Sequence, residues 1–523
     1  MEKCLFHRVN LEFTLRDIFN KFKVVLITVL TFVSLVIGAG SVTAAQLKAG
    51  VAKVNITRDN VGGLINDSLY ARALVLQNGS EGVVIISLDT RAIAEKGGVG
   101  DDFTERLRNR IQQQLKINGN NVMVTATGVS GEKYIRPDIE DLVFNAVRSA
   151  FQKMIPVTIG AGTGFENRIT ENRRLQLTNG KEWTIRHANP LPPDEEVAGI
   201  GPVDPEIGIL RLDKKNGAPL AVLYNFAVHA YQGVPNKGLT ADVPAFSSKV
   251  IESNLPAGAM AIFLQGCLGD ISTVLYKDVN SPRDAEFLGN ILGLSTLNAL
   301  EGIKTSKNSE LKVVREVIEI PSRTDIPARI ASLEEEQEKL LRSLRGTSLN
   351  FKTFFPLYIT YNIYEEYPSY YSHRYLREKE AGRADLENLD KENRRNIYKY
   401  LRNIYAMEKL TRIQGNLTIL REQEERLATK IGKTINFEVQ CLKIGDMVLV
   451  TFPGEPVAQI GLNIKGSSPF ANTFVTAYSN SCVGYSPTAE HYKGEALEDT
   501  YCIMAPEWQD IYERKVREIL NKL

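Results

Sequence analysis

Gly82-Val83-Val84-Ile85-Ile86-Ser87-Leu88, then Phe103 to Leu115, then Asn121-Val122-Met123-Val124-Thr125-Ala126 form the stretch that decides the fold. Its two outer segments are short, β-branched and almost wholly apolar, as strands buried on both faces are. The segment between them has helical length and an apolar face. Strand, helix, strand in that order predicts a parallel pair joined by a crossover. Upstream, Ala73-Leu74-Val75-Leu76 reads as another buried strand. Downstream, Ala221 to Phe226 and Ala259 to Leu264 repeat the rhythm, with a helix expected from Val243 to Glu252, capped by Asp242. The expectation is an α/β fold of mixed sheets with flanking helices.

The rhythm breaks after Asp325. From 325 to 430 the chain is rich in Glu, Lys, Arg and Leu, and Ile330, Leu333, Leu340, Leu341 and Leu344 trace one helical face. This predicts a charged helical insertion dividing the α/β domain into a first part, 46–324, and a last part, 431–523. Inside it, Phe351 to Tyr375 is crowded with aromatic residues, read either as a packed connection between helices or as a lid or lipid-contacting surface. Strands resume at Asn436 to Leu442 and Met447 to Phe452, and an amphipathic helix runs from Trp508 to Leu523.

Charge excludes one class of partner. With 63 Lys and Arg against 62 Asp and Glu, the chain has no basic excess to neutralise phosphates, so no nucleic acid is expected. At the amino end, Lys21 and Lys23 precede an apolar run from Val24 to Ile37, followed by Gly38 to Ala45, which are mostly small. That order predicts a signal peptide or N-terminal anchor over 1–45, and a secreted, periplasmic or membrane-anchored protein. The apolar run is shorter than the roughly 20 residues that span a bilayer comfortably, which favours cleavage. The five cysteines follow no metal or redox spacing; a Cys482–Cys502 disulfide is one pairing the sequence allows.

Three strand ends and one further turn carry residues able to do chemistry. His229 follows Phe226-Ala227-Val228, at a strand mouth where a ligand or base sits well, although a lone histidine there is as readily structural. Ser272 closes Gln265-Gly266-Cys267-Leu268-Gly269-Asp270-Ile271-Ser272, a tight turn that would make it a helix cap or a nucleophile. Glu455 lies in Phe452-Pro453-Gly454-Glu455-Pro456, as a metal ligand, a base or a surface loop residue. Tyr485 lies in Gly484-Tyr485-Ser486-Pro487-Thr488, where it packs, ligates or donates a hydrogen bond.

Taken in order, these segments resemble the neutral/alkaline ceramidase family. Ala49 to Thr57, Leu69 to Leu76 and Ile85 to Asp89 look like that family's opening strands. Glu171-Asn172-Arg173-Arg174, Val203-Asp204-Pro205-Glu206, Phe226-Ala227-Val228-His229, Ala241-Asp242, Gly269-Asp270-Ile271-Ser272, Pro453-Gly454-Glu455 and Gly484-Tyr485 follow in the family's order. The likeness covers nearly all of the chain beyond residue 45 except the insertion. It implies a zinc-dependent amidohydrolase that cleaves the amide of a ceramide-like N-acyl lipid. It also implies His229, Glu455 and Tyr485 as metal ligands, Ser272 as the catalytic serine, and Arg173 as the arginine that steadies substrate or oxyanion.

The pattern also breaks. The family's segment of two histidines after a Thr-Ala-Thr strand end reads here Thr125-Ala126-Thr127-Gly128-Val129-Ser130-Gly131-Glu132, without either histidine. A family tyrosine further on is replaced at Ala496-Leu497-Glu498. Because a catalytic zinc usually takes three protein ligands, the metal site is expected to be altered, with Glu132, Asp242 or His491 as candidate replacements. Two alternatives stand beside the hydrolase: a catalytically inactive lipid- or glycan-binding protein, and an interaction module that engages a protein partner through the insertion. Peripheral membrane contact is expected under the lipid readings.

Overall fold

The computed structural model describes residues 46–59, 62–94, 97–185, 191–273, 284–308, 310–493 and 496–523. The N-terminal segment read above as a signal or anchor, and His187, lie outside them. Among the described residues no helix is long and apolar enough to cross a membrane.

Eight strands form the larger sheet: β1 (Lys48–Asn55), β2 (Tyr70–Asn78), β3 (Glu81–Leu88), β4 (Val122–Ala126), β5 (Ile155–Phe165), β6 (Glu206–Lys214), β7 (Pro219–Phe226) and β8 (Met260–Gln265). Their spatial order is β8-β7-β6-β5-β1-β2-β3-β4. The stretch that opened the analysis behaves as its pattern predicts: β3 and β4 pair in parallel, with α1 (Phe103–Leu115) between them in sequence. β7 and β8 are the second parallel pair, at the opposite edge. The remaining pairings are antiparallel, so the sheet is mixed. A second sheet, β9 (Leu311–Pro321), β10 (Thr434–Ile444), β11 (Met447–Thr451) and β12 (Asn472–Thr476), lies in that order, with β11 and β12 parallel.

Side-chain alternation stacks these sheets. In β3, Val83 and Ile85 join a core that also contains Leu442, Leu449 and Phe474 of the second sheet, whereas Val84, Ile86 and Leu88 face a different core. That second core is completed by α1 and by α2 (Ile139–Gln152). Across the sheet, α3 (Asp242–Asn254) and α4 (Ala285–Gly302) cover β6 to β8. In β11 the same period of two sends Met447 and Leu449 inward and Val448 and Val450 outward. The molecule is therefore four layers, helices on sheet on sheet on helices, which a single-strand reading does not reveal.

Two local expectations are corrected. Asp242 does not cap α3 from outside; it is the helix's first residue, at φ 56°. Its carboxylate accepts from Gly233 N at 2.6 Å and from Val243 N at 2.9 Å, so it ties the preceding loop to the helix start. Cys482 and Cys502 are both free thiols rather than a disulfide. Cys502 instead shares a 3.1 Å contact with the Tyr492 hydroxyl.

Residues 47–523 form one compact unit that includes the helical segment. That segment runs from α5 (Ile326–Ser343) through α6 (Phe351–Ile363) and α7 (Ser372–Glu380) to the 42-residue α8 (Asp385–Arg426). It emerges between β9 and β10, which pair with each other along their full length. Ile326 and Leu333 of α5 pack on Ile413, Leu417 and Leu420 of α8, although Leu341, assigned above to the same face, is exposed. The aromatic run is helical at both ends and not between 364 and 371: Phe354 and Tyr361 pack against Ile397 and Tyr400 of α8, while Phe351, Ile363, Tyr364 and Tyr371 face solvent.

The approach of the two sheets makes a testable demand at Gly208 in β6. A Cβ there would lie 2.5 Å from the Phe474 ring of β12. Gly208→Ala is expected to destabilise the protein by about 1–3 kcal/mol through overpacking, read as a lower urea midpoint with an unchanged slope. An unchanged midpoint would contradict the tight inter-sheet contact.

Candidate functional site

The parallel strand pairs β3/β4, β7/β8 and β11/β12 send their carboxyl ends to one region, the position where open α/β sheets place their ligands. Ala477 N donates to Gln265 O at 2.8 Å, and Thr125 Oγ1 donates to Ala477 O at 2.9 Å, so the ends of both sheets are joined directly. The buried Gln265 side chain donates to Thr127 O at 2.9 Å and Val228 O at 2.6 Å, and accepts from Val228 N at 3.1 Å.

His229 stands one residue beyond this clamp, 6% exposed. Its Nδ1 lies 2.7 Å from Ile271 O. A carbonyl can only accept, so Nδ1 carries the proton and Nε2 is turned the other way. Nε2 meets Glu455 Oε2 at 3.4 Å. Glu455 belongs to a two-residue strand, Glu455–Pro456, paired in parallel with Tyr485–Ser486, which sets Glu455 directly opposite Tyr485. The Tyr485 ring centroid is 6.4 Å from that of His229. Burial and the Glu455 carboxylate push the Tyr485 phenol well up, against the opposing pull of Arg173.

Arg173 itself is buried. Its guanidinium lies 5.2 Å from the Tyr485 ring centroid, donates to Gly269 O at 2.6 Å, and pairs with Glu498 at 2.9 Å. Arg174 grips the other Glu498 oxygen at 2.9 Å and also reaches Asp499 and Glu182. Ser272 is buried in a two-residue strand paired with Glu171–Asn172, and so is no helix cap. Its Oγ shares a 3.1 Å hydrogen bond with Tyr231, whose ring packs edge-on to His229 at 5.0 Å. All five residues singled out in the sequence thus converge through direct contacts or one intermediary.

Two of the three candidate replacement ligands, His491 and Asp242, are held by other groups, whereas Glu132 acts on Arg91 together with Glu455 and Tyr485. His491 faces Glu182 at 3.6 Å, and burial together with Arg174 lowers its pKa to about 4. Asp242 is held by backbone amides, and Glu132 accepts from Gly131 N at 3.0 Å. Among the described residues no group of three His, Cys, Asp or Glu side chains is placed to hold a metal. What the strand ends offer a cation is one imidazole, one carboxylate and one phenol. Two ligands of a tetrahedral zinc, at bond lengths of about 2.0–2.1 Å, stand about 3.4 Å apart. The His229–Glu455 separation and the imidazole tautomer therefore fit such an ion, and the backbone of Tyr485 lies opposite that of Glu455.

Sequence reasoning missed Tyr231, Arg174 and the pairing role of Glu498. Arg174 sits in the quoted Glu171-Asn172-Arg173-Arg174 motif, and a doubled arginine in a buried context calls for a carboxylate partner. Tyr231 carries no pattern of its own. Two surface cavities lie apart from the site, one lined by Thr163, Phe165, Glu206 and Ser295 and the other by Lys53, Arg72 and Glu252.

No family model and no curated protein matches the chain. Solved structures do. The crystal structure of neutral ceramidase from Pseudomonas aeruginosa is similar with a TM-score of 0.58 at 15% identity, over 91% of this chain and 74% of that one. A ceramidase complexed with C2 is similar with a TM-score of 0.55 at 13% identity, over 91% and 75%. The chain has the fold of these proteins.

The buried ion cluster makes a prediction with a defined sign. Burial works to raise the Glu498 carboxyl, but Arg173 and Arg174 prevail and lower it from 4.5 to about 2. A depressed folded pKa stabilises the protein above the unfolded value, and the contribution is lost as pH falls toward 2. Glu498→Gln is expected to cost about 3–5 kcal/mol at neutral pH by leaving the arginines uncompensated. The gap to wild type should close as urea unfolding is repeated from pH 4.5 down to about 2; a gap that stays constant would reject the assignment.

Proposed function

We propose that this chain is a ceramidase-like hydrolase that cleaves the amide bond of an N-acyl lipid at a divalent-cation site held by His229, Glu455 and Tyr485. The observation that carries the reading is the 3.4 Å approach of His229 Nε2 to Glu455 Oε2, with Nδ1 anchored on Ile271 O. With Nδ1 protonated on Ile271 O, an Nε2 that faces a carboxylate needs a proton or a cation between the two, and a ligating imidazole has this same tautomer. The ceramidase fold supports the substrate class. A bound cation, zinc by the family resemblance, would polarise the amide carbonyl and lower the pKa of water.

The chain's own residues divide the remaining work. Arg173, fixed by Glu498 and Gly269 O, sets a permanent positive charge beside Tyr485, where an oxyanion would develop. With Nδ1 on Ile271 O and Nε2 turned to the cation site beside Glu455, the imidazole has no nitrogen left to serve Ser272 as a general base. Ser272, bonded to Tyr231, instead orients substrate through its hydroxyl. Export through the amino-terminal segment would bring such an enzyme to lipid outside the cytoplasm or in the periplasm.

The reading is tested by metal analysis of the purified protein together with fatty-acid release from a short-chain ceramide. Wild type should hold close to one zinc per chain, and His229→Ala should lose both metal and at least about 100-fold in kcat/KM. Ser272→Ala should raise KM or lower kcat while retaining the metal. Ceramide that stabilises the protein thermally without turnover, in a chain that binds no divalent cation, would replace the hydrolase with a lipid-binding protein.

A further inference from the structure

Between 351 and 364 the only charged residue is Lys352, yet Phe351, Phe355, Tyr358, Ile359 and Ile363 of α6 are exposed. A surface helix normally places polar or charged residues on its outer side. The inner side of α6 is already occupied by α8. The Phe354 ring stacks on Tyr400 with centroids 4.4 Å apart, and Asn393 Nδ2 donates to Tyr361 Oη at 2.8 Å. Since 354 meets 400 and 361 meets 393, the two helices run antiparallel. Each residue turns a helix by about 100°, and seen from one end an antiparallel pair turns in opposite senses. The residue after each contact position therefore points to the same flank of both helices.

On α6 the residues after Phe354 and Leu357 are Phe355 and Tyr358. On α8 the residues after Asn393, Ile397, Leu401 and Ile404 are Arg394, Tyr398, Arg402 and Tyr405. All six are exposed. Rings and guanidinium groups alternate along α8, and the Arg402 guanidinium lies 5.8 Å from the Tyr398 ring centroid. Lys391, Arg395 and Lys409, also exposed, extend this row at spacings of three and four residues. The two acids of the stretch lie off it: Glu392 precedes Asn393 and so points to the opposite flank, and Glu408 continues the contact row after Ile404. A chain with 63 Lys and Arg against 62 Asp and Glu thus gathers cations and aromatic rings on one flank, without a carboxylate among them. Rings alone would match any apolar surface. Rings bordered by cations match a surface that is apolar within and negative at its boundary, where aromatic side chains settle at headgroup depth and long basic side chains reach phosphates.

We propose that this flank of α6 and α8, bearing Phe355, Tyr358, Tyr398 and Tyr405 with Arg394 and Arg402, docks the protein on a lipid bilayer that carries anionic headgroups. The choice of a bilayer as the occupant rests on the N-acyl-lipid reading above and deepens it, because docking holds the chain at the surface in which such a substrate is embedded. Charge complementarity supplies the attraction and the exposed rings supply the insertion.

The test uses the full chain with vesicles of phosphatidylcholine containing or lacking phosphatidylglycerol, and reads the quenching of an introduced tryptophan by brominated acyl chains. Attachment of the chain through residues 1–45 does not mimic that readout. Phe355→Trp should be quenched, whereas Met407→Trp, exposed on the opposite flank of α8, should not be. Quenching should require phosphatidylglycerol and fade as salt is raised. Replacing Arg394 and Arg402 together by Ala in the Phe355→Trp protein should raise the vesicle concentration for half-quenching by about tenfold or more, since each cation at such a surface contributes about fivefold. Turnover of a soluble short-chain ceramide should stay unchanged by the arginine replacements. An unquenched Phe355→Trp, or quenching indifferent to both arginines, overturns the inference whether or not ceramide is hydrolysed. Self-association in vesicle-free solution that the same replacements abolish overturns it in favour of a second copy of the chain. Quenching as expected without any ceramide turnover keeps the docking surface and removes the hydrolase.

Discussion

One buried amide holds the strand ends together. Gln265 closes β8, and its side chain bonds the backbone beyond β4 and β7 while its own carbonyl receives the amide that follows β12. Four strands from two sheets thus end in a common frame, and every residue of the site lies within a few positions of one of those ends or on the loops pinned to them. A side-chain amide suits this position because it donates and accepts at once, and with 0% exposure none of its bonds competes with water. Replacing it would leave two carbonyls and an amide without partners in a dry interior, where each such group costs about 1–3 kcal/mol.

Electrostatics then determine which side of the frame is positive. Arg173 and Arg174 enter the interior together and are compensated mainly by Glu498, with Asp499 and Glu182 sharing Arg174. Buried ion clusters of this kind seldom add net stability compared with apolar packing, yet removing one member is costly. Their value lies in position: the Arg173 charge is held beside Tyr485 without having to reorganise. The Asp270 carboxyl, which burial drives up to about 6 although Ala458 N and Asn172 bond it, fixes the turn leading to Ser272 and the start of the helix after Glu455. One acid thereby sets the separation of two site loops.

How much of this could be read beforehand depends on the range of each interaction. Residues 82–88, 103–115 and 121–126 declare themselves because burial on both faces or on one stripe is written into consecutive residues. The insertion is equally legible from its composition. The stacking of two sheets is not, since Val83 and Val84 look alike until the partner of each face is known. Of the site, His229, Ser272 and Glu455 are visible because each follows a strand legible in the sequence, and Tyr485 because the turn that holds it fits the family resemblance. Nothing in Thr476-Ala477-Tyr478-Ser479-Asn480 announces the left-handed backbone of Tyr478 or the packing of its ring against Gly128, far away in sequence. Asp242 misled because an acid before a helix usually caps it, whereas here a tertiary contact with Gly233 claimed the carboxylate.

The helical segment lies where it disturbs the sheet least and can reach the site. β9 and β10 pair as neighbouring antiparallel strands whether a short turn or a hundred residues joins them, since the entropy of closing a loop grows only slowly with its length. The long α8 returns along the molecule and lays the buried Arg412 guanidinium 3.5 Å over the ring of Trp183. Trp183 precedes Thr184, whose hydroxyl donates to Glu498 at 3.0 Å and accepts from Leu497 N at the same distance. A continuous chain of contacts therefore runs from the helical segment to the carboxylate that positions Arg173. Movement of α8 against Trp183 would reach the charge beside Tyr485 without altering any residue of the strand ends.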